Sequence, residues 1–170
     1  MLAQRFLGIV HHGEGIAQMF AGQIRQIFGP AIVRRLFATG DLLAFLDSDD
    51  LFLPHKLAVQ AAALAQNPTA GLAYSNGVYF RTTPAAPVGR VLDGLPVPSG
   101  WVFGQLLVGN FLAPPVVLIR RSALDAVGLF DESPDFFAVE DFDLWMRLAA
   151  YTPFVYAPGD VAAIRRHAGE

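Results

Sequence analysis

Residues Leu42–Asp50, LLAFLDSDD, carry the strongest fold signal in this chain. The run Leu42–Leu46 has the length of a strand and is apolar throughout, which is typical of a strand buried on both faces of a mostly parallel sheet. It ends at three carboxylates, Asp47, Asp49 and Asp50. Ligands of open α/β sheets bind beyond the carboxyl ends of the strands. The pattern therefore predicts a ligand site at the end of this strand.

On the C-terminal side of this stretch, helix and strand patterns alternate. Apolar spacing predicts helices after Pro54 and over Val102–Val108, Ser122–Gly128 and Glu140–Ala150. Strands are predicted at Gly71–Ser75, Val78–Arg81, Val116–Ile119, Phe154–Tyr156 and Val161–Ile164, with a turn at Asn76–Gly77 and a long loop over Arg81–Gly100. This alternation predicts an α/β fold.

The first 39 residues form a different segment. Apolar residues at helical spacing predict a helix over Met1–Phe28, ended by Gly29–Pro30, and a second short helix over Ile32–Phe37. We therefore divide the chain into an atypical helical N-terminal segment, residues 1–39, and an α/β domain, residues 40–170.

Composition narrows the class of protein. Apolar residues make up 54% of the chain, enough for a packed core, and the net charge of −3 provides no basic surface for nucleic acid. The absence of cysteine excludes disulfides and thiolate metal sites. Mean hydropathy is high at +0.41, but no run reaches the roughly 18 apolar residues of a spanning helix. The composition therefore disfavours a spanning helix, and a peripheral contact with a membrane stays open as an alternative.

The acidic residues have two interpretations each. Clustered carboxylates such as Asp47, Asp49 and Asp50 repel one another, and Mg²⁺ or Mn²⁺ would relieve the repulsion and bridge to substrate phosphates. The alternative is a helix cap followed by solvated acids. A second group, Glu140–Asp143, opens a predicted helix, where the helix dipole favours negative charge. Its functional interpretation is a general base near the metal.

The ordered motifs of this chain resemble glycosyltransferase family 2. The motifs are Gly40–Asp50, Leu53–Leu57, Asn67–Pro68, Gly71–Ser75, Gly109–Asn110, Pro114–Pro115, Val117–Leu124, Val127–Asp131, Glu140–Ala149 and Arg166–His167. The resemblance implies a GT-A-like (Rossmann-like), mostly parallel sheet flanked by helices, with residues 40–170 as its metal and catalytic-base portion. The strands and loop with which the family normally begins have no counterpart in Met1–Thr39, so we expect the usual first strands to be missing.

The resemblance also implies roles for single residues. Asp49 would be the principal ligand of an Mn²⁺ or Mg²⁺ ion that binds the donor's diphosphate, and Asp47 would contact the ribose or the metal. Asp141 would be the base that takes the proton from the acceptor hydroxyl, giving inversion at the anomeric carbon. Arg166 would close over the diphosphate, and His167 would be a further metal ligand. The alternative for the last two is an ordinary basic chain end.

Three large side chains are expected to be structural. Arg147, on the same predicted helix as Asp141, is typical of a partner for a carboxylate. Trp101 and Trp145 are expected to pack in the core rather than to stack on sugar.

The resulting prediction is an inverting, metal-dependent glycosyltransferase of polysaccharide synthesis. Its donor would be a UDP-, GDP- or dTDP-linked sugar, its acceptor a saccharide or lipid-linked hydroxyl, and its place the cytoplasm or the inner face of the membrane. The first alternative is a degenerate family member that binds a sugar, a nucleotide or a protein without turnover. The second is phosphoryl transfer on a strand-end aspartate, which Asp50-Leu51 disfavours because Gly-Thr is expected there. Missing first strands would expose an edge or face of Leu42–Leu46. Two alternatives follow: the apolar face of Met1–Phe28 covers it, or two chains cover each other, which predicts a homodimer.

Overall fold

The computed structural model describes residues 6–12 by their backbone, and residues 40–47, 49–131 and 139–167 in full. The strands are β1 Phe6–His12, β2 Leu42–Asp47, β3 Leu51–Phe52, β4 Leu72–Phe80, β5 Pro87–Arg90, β6 Val117–Arg120 and β7 Phe154–Arg165. The helices are α1 Lys56–Gln66, α2 Phe103–Val108, α3 Arg121–Val127 and α4 Glu140–Tyr151, with a 3₁₀ turn at Pro114–Val116. These strands form one sheet in the order β1-β2-β6-β4-β7-β3, and β5 pairs with β4.

The longest strands run in one direction. β1 is parallel to β2 and β4 is parallel to β7, whereas β6 lies between β2 and β4 and is antiparallel to both. The short strands β3 and β5 run against β7 and β4. The sheet is therefore mixed. The last residues of its long strands, His12, Asp47, Phe80 and Arg165, lie at one edge, which we call the carboxyl edge; the opposite edge is the amino edge.

β2 confirms the strand predicted from the apolar run. Leu43 and Phe45 belong to the larger core cluster on one face of the sheet, and Leu42 and Ala44 belong to the smaller cluster formed with α1 on the other face. Burial on both faces is the reason that the run contains no polar residue. α1, α2, α3 and α4 likewise confirm the helices predicted from apolar spacing.

The helix expected over Met1–Phe28 is wrong for Phe6–His12, which forms β1. β1 pairs with β2 in parallel and brings His12 next to Asp47. The edge of β2 offers unpaired backbone groups, and filling it outweighs a local helical spacing that carries little energy by itself. Because the chain itself occupies this edge, the reason for expecting a homodimer is removed. The helix expected over Ile32–Phe37 lies outside the described residues.

The turn predicted at Asn76–Gly77 is also wrong, because β4 runs through both residues without a break. The side-chain oxygen of Asn76 accepts hydrogen bonds from the backbone N–H groups of Gly77 at 2.9 Å and Leu92 at 3.0 Å. The register of β4 against β7 shifts on both sides of this point. Pairing along the long neighbouring strand therefore converts a local turn signal into an irregularity within one strand. β7 similarly joins the two strands predicted at its ends.

Two smaller predictions need correction. The loop expected over Arg81–Gly100 contains β5, which pairs with the last residues of β4, Val78–Phe80. The helix expected to start with Ser122 is α3, which begins one residue earlier, at Arg121, and has Arg120 as its cap residue. The backbone of Arg120 belongs to β6, so the chain passes directly from strand to helix at this point.

α4 runs from the carboxyl edge back to the amino edge. It ends at Tyr151, shortly before β7 begins at Phe154. A helix that leads directly into a strand must end where that strand starts, and its twelve residues cover about 18 Å. Its first residues, Glu140 and Asp141, therefore lie toward the carboxyl edge. No helix in the described part of the chain is long and apolar enough to cross a membrane.

A buried polar network anchors α1 to the sheet. Lys56, the only lysine in the chain, is fully buried. Its Nζ donates to Gln60 Oε1 at 2.7 Å and to the carbonyl oxygen of Val117 at 3.0 Å. Gln60 in turn donates to Ser75 Oγ at 3.2 Å and to the carbonyl oxygen of Val116 at 2.6 Å. Burial lowers the pKa of Lys56 to about 7, because removal from water disfavours the charged ammonium.

We expect the free energy of unfolding to rise with pH above about 7. The unfolded chain keeps the Lys56 proton up to the ordinary pKa of 10.5, whereas the folded protein loses it near pH 7. The unfolded state therefore binds more protons across this interval, and stability increases with pH by at most about 1.4 kcal/mol per pH unit. Urea unfolding at several pH values measures the slope. Lys56→Met should lack this part of the slope, and equal slopes in the two proteins would contradict the assignment.

Gly71, just before β4, occupies a position with no room for a side chain. A Cβ at this residue would overlap Thr152 Cγ2 and lie 2.9 Å from Ala123 Cβ. We expect Gly71→Ala to lower the free energy of unfolding by about 1–3 kcal/mol, the usual cost of overpacking. In the control Gly104→Ala the added Cβ meets nothing within 4 Å, and alanine is the better helix former. Urea unfolding should separate the two variants; equal midpoints would refute the steric account.

Candidate functional site

The three carboxylates after β2 do not share one environment. Asp50 is buried, its Oδ1 accepts the backbone N–H of Arg165 at 2.8 Å, and its own N–H donates to the carbonyl oxygen of Asp47 at 3.2 Å. Burial raises the pKa of Asp50 to about 6, and the charges of Asp47 and Asp49 add to the increase. Asp50 thus ties the acidic loop, the segment that carries Asp47, Asp49 and Asp50, to the end of β7, and this structural contact occupies its Oδ1.

Asp49 contacts His167 directly. Asp49 Oδ2 and His167 Nε2 lie 2.7 Å apart, and the two side chains are 39% and 61% exposed. One residue follows β2 and the other follows β7, so the folded sheet joins positions that are 118 residues apart in the sequence. The structure thus brings together two of the predicted metal ligands on a surface that is open to solvent.

Asp49 and His167 supply only some of the ligands that a metal ion would need here. In residues 40–47, 49–131 and 139–167, no three His, Asp or Glu side chains are grouped to hold an ion. Mg²⁺ usually binds through one or two carboxylates and substrate phosphates while it keeps several waters. An exposed carboxylate next to an imidazole fits that mode, in which the ion comes with a diphosphate. Asp47, half-buried at the end of β2, is a further carboxylate two residues before Asp49.

Two arginines at the end of β7 stack on aromatic rings of β4. The guanidinium of Arg165 lies 4.8 Å from the ring centre of Phe80, and that of Arg166 lies 4.1 Å from the ring centre of Tyr79. Arg165 Nη1 also donates to the carbonyl oxygen of Arg81 at 3.2 Å. A stacked guanidinium keeps its N–H groups in the ring-parallel plane, where they can bind an anion. Positive charge is therefore held beside the acidic loop.

Asp141 is the second residue of α4. Its Oδ1 accepts the backbone N–H of Phe142 at 2.6 Å. Burial raises the pKa of Asp141, and the neighbouring charge of Glu140 raises it further. A carboxylate with a raised pKa at the start of a helix is suited to accept a proton.

The packing of α4 places Asp141 near the acidic loop. Trp145 lies one turn further along the same helix face, and its ring centre is 6.5 Å from that of Phe45. Phe45 stands two residues before Asp47 on the same face of β2. Because α4 starts at the carboxyl edge, Asp141 lies on this face of the sheet and toward the end where Asp47 is found.

Arg147 and Asp143, two other charged residues of α4, have structural roles. Arg147 donates to Asp143 Oδ2 at 2.7 and 2.9 Å, and to the carbonyl oxygens of Val127 and Leu129 at 2.7 Å each. This confirms the structural role predicted for Arg147. Glu140 Oε2 is buried and has no hydrogen-bond partner in the described residues. Asp143 is held by its arginine, which leaves Glu140 and Asp141 as the candidate bases among the three acids.

The two tryptophans differ. Trp145 is fully buried, as expected, whereas Trp101 is 65% exposed, so the core position expected for Trp101 is wrong. The sequence patterns did not identify Tyr79 and Phe80, whose rings stack on Arg166 and Arg165 and orient them. Their only sequence signal is that two aromatic residues stand side by side at the end of a strand. Their contact with the arginines arises because β4 pairs with β7.

A mixed sheet flanked by helices, with carboxylates where the strands end, is the architecture of the GT-A glycosyltransferases. The chain belongs to a family described as glycosyltransferase-like family 2, whose model matches residues 21–169. No curated protein matches it.

Solved structures of S. aureus TarS share this fold. TarS 1–349 in complex with UDP-GlcNAc has a TM-score of 0.63 at 15% identity, over 98% of this chain and 53% of that chain. The complex of TarS 1–349 with UDP has a TM-score of 0.53 at 16% identity, over 96% and 53%. The present chain therefore spans about half the length of these proteins. At 15% and 16% sequence identity, this similarity shows a shared fold.

Proposed function

We propose that this chain is the metal and catalytic-base part of an inverting glycosyltransferase that uses a nucleoside-diphosphate sugar. The observation that carries the proposal is the 2.7 Å contact between Asp49 and His167 at the carboxyl edge, next to a stacked Arg166. Carboxylate, imidazole and guanidinium together match a cation and a diphosphate. Family membership supports sugar transfer, and the TarS complexes with UDP-GlcNAc and UDP support a uridine nucleotide as donor.

In this proposal the residues of the carboxyl edge bind the donor. Asp49 and His167 would hold Mn²⁺ or Mg²⁺, with Asp47 binding the ribose or the same ion, and Arg166 would bind the diphosphate. The ion would supply positive charge against the negative charge that develops on the leaving diphosphate. Holding the donor and acceptor in one orientation contributes a large share of the rate.

Asp141 is the proposed base. The acceptor hydroxyl gives its proton to Asp141 while its oxygen attacks the anomeric carbon, and the bond from that carbon to the diphosphate breaks on the opposite side. The nucleoside diphosphate leaves with the bonding electrons, and the configuration inverts. A base whose pKa is raised toward the working pH transfers protons more effectively than an ordinary carboxylate. The acceptor is a saccharide or lipid-linked hydroxyl, and the proposed setting is polysaccharide synthesis in the cytoplasm.

The first test is calorimetric titration of UDP and GDP into the purified chain, with Mn²⁺ and with a chelator. The proposal expects saturable, metal-dependent binding of UDP, followed by release of UDP from UDP-GlcNAc when acceptors are supplied. UDP binding without any release, even by slow hydrolysis, would favour a family member that binds without turnover. A folded protein that binds neither nucleotide would overturn the proposed donor site.

A further inference from the structure

The amino edge of the sheet carries a cavity of about 620 Å³. Three lining residues fix its place, because Gly71 precedes β4, Pro153 precedes β7 and Arg120 ends the oppositely directed β6. The nine residues of β4 rise about 3.3 Å each, so the cavity lies on the order of 25 Å from the end of β4, where the backbone N–H of Arg166 donates to the carbonyl oxygen of Phe80. It is therefore separate from the proposed donor site, and its volume is in the usual range for a ligand pocket.

Two exposed aromatic side chains line this amino-edge cavity. Trp101 is 65% exposed and Tyr151 is 56% exposed. Their backbones are fixed, since Gly100 exchanges two hydrogen bonds of 2.8 Å with Phe154, and Thr152 bonds back to α4 at 2.8 Å. Leaving such large apolar rings in water has a cost that a ligand would remove. The backbone positions that carry the two rings are thus set before any ligand arrives, which lowers the cost of ordering the site on binding.

Arg120 adds a positive charge to the cavity. Its Nε donates to the carbonyl oxygen of Ala70 at 2.8 Å, and its Nη2 donates to that of Leu64 at 2.7 Å. Among the residues with described side chains, no carboxylate lies within ion-pair distance of this guanidinium. The two carbonyl bonds fix its plane, and the partial negative charge at the carboxyl end of α1 offsets only part of its positive charge. The exposed hydroxyl of Ser122 also lines the cavity.

We propose that the amino-edge cavity binds an acidic saccharide, a short run of sugar residues that carries a carboxylate or phosphate. The aromatic faces of Trp101 and Tyr151 match the C–H faces of sugar rings, Ser122 matches sugar hydroxyls, and Arg120 matches the anionic group. The site requires no turnover at the carboxyl edge, and it would hold a saccharide on the far side of the sheet from the donor.

Fluorescence tests this proposal directly, because the chain has two tryptophans and only Trp101 is exposed. Titration with trigalacturonic acid should give a saturable change in emission, and maltotriose, the neutral control, should bind at least about tenfold more weakly. Tyr151→Ala should weaken binding of the acidic trisaccharide about tenfold. Arg120→Gln should reduce its affinity to that of maltotriose; a thermal melt checks that each variant is folded.

Asp49→Ala separates this site from the proposed donor site. It should leave trisaccharide binding unchanged, and a parallel UDP titration reports on the carboxyl edge alone. If the wild-type protein binds the acidic trisaccharide but not UDP, the proposed donor site is refuted and the amino-edge site is supported. The saccharide proposal is overturned if wild-type protein shows no saturable change, if acidic and neutral trisaccharides bind equally, or if Tyr151→Ala binds like wild type. Displacement of the trisaccharide by UDP in Asp49→Ala would also overturn it, since the cavity would then be a nucleotide site.

Discussion

Asp49→Ala should abolish the metal-dependent part of UDP binding. Asp49 offers an exposed carboxylate 2.7 Å from His167, and its removal takes the only carboxylate out of this pair of proposed ligands. Loss of even an outer partner of a metal ligand commonly costs 10–100-fold in metal affinity, so loss of the ligand itself should cost on the order of 100-fold or more. Calorimetric titration of UDP with Mn²⁺ and with a chelator measures the effect.

Asp160→Ala provides the matched control. Asp160 is an aspartate in β7 whose carboxylate makes an exposed pair with Arg90 at 3.2 Å, and such pairs contribute little. UDP binding by this variant should equal that of wild type. If Asp49→Ala binds UDP with the same metal dependence as Asp160→Ala, Asp49 is not a ligand and the donor site must be sought elsewhere.

Asp141→Asn should lower the rate of sugar transfer by about 10²- to 10⁴-fold, the usual contribution of a general base. The amide keeps an oxygen that can accept the N–H of Phe142, so the start of α4 should be preserved. UDP affinity should be unchanged, because Asp141 acts on the acceptor. Steady-state transfer assays and UDP titration on the same preparation separate the two effects, and a variant that transfers sugar as fast as wild type would exclude Asp141 as the base.

The pH profile supplies an independent check on Asp141. The base works only when ionised, so the transfer rate should rise with pH through the pKa of Asp141 and then level off. Burial raises that pKa above the ordinary 3.8, so the rise should occur at a higher pH than for an exposed aspartate. Asp141→Asn should lose this limb of the profile. An unchanged limb would assign it to another group.

Much of the fold follows from short-range patterns. β2 was predictable because five adjacent apolar residues can be buried only on two faces at once, and α4 because its apolar residues recur at helical spacing. The carboxylates of the acidic loop and of α4 could be located because acids directly after a buried strand, or at the start of a helix, have few structural uses. Side-chain type and local spacing are sufficient for these features.

Long-range pairing settled the rest. β1 formed a strand because the edge of β2 needed hydrogen-bond partners, and β4 crossed Asn76–Gly77 because β7 pairs along its length. The contact of Asp49 with His167 and the stacking of Arg166 on Tyr79 join the ends of distant strands. Trp101 stayed exposed because no described element covers it. The local sequence names the groups able to do chemistry, whereas their positions relative to one another arise from backbone pairing and burial between segments far apart in the chain.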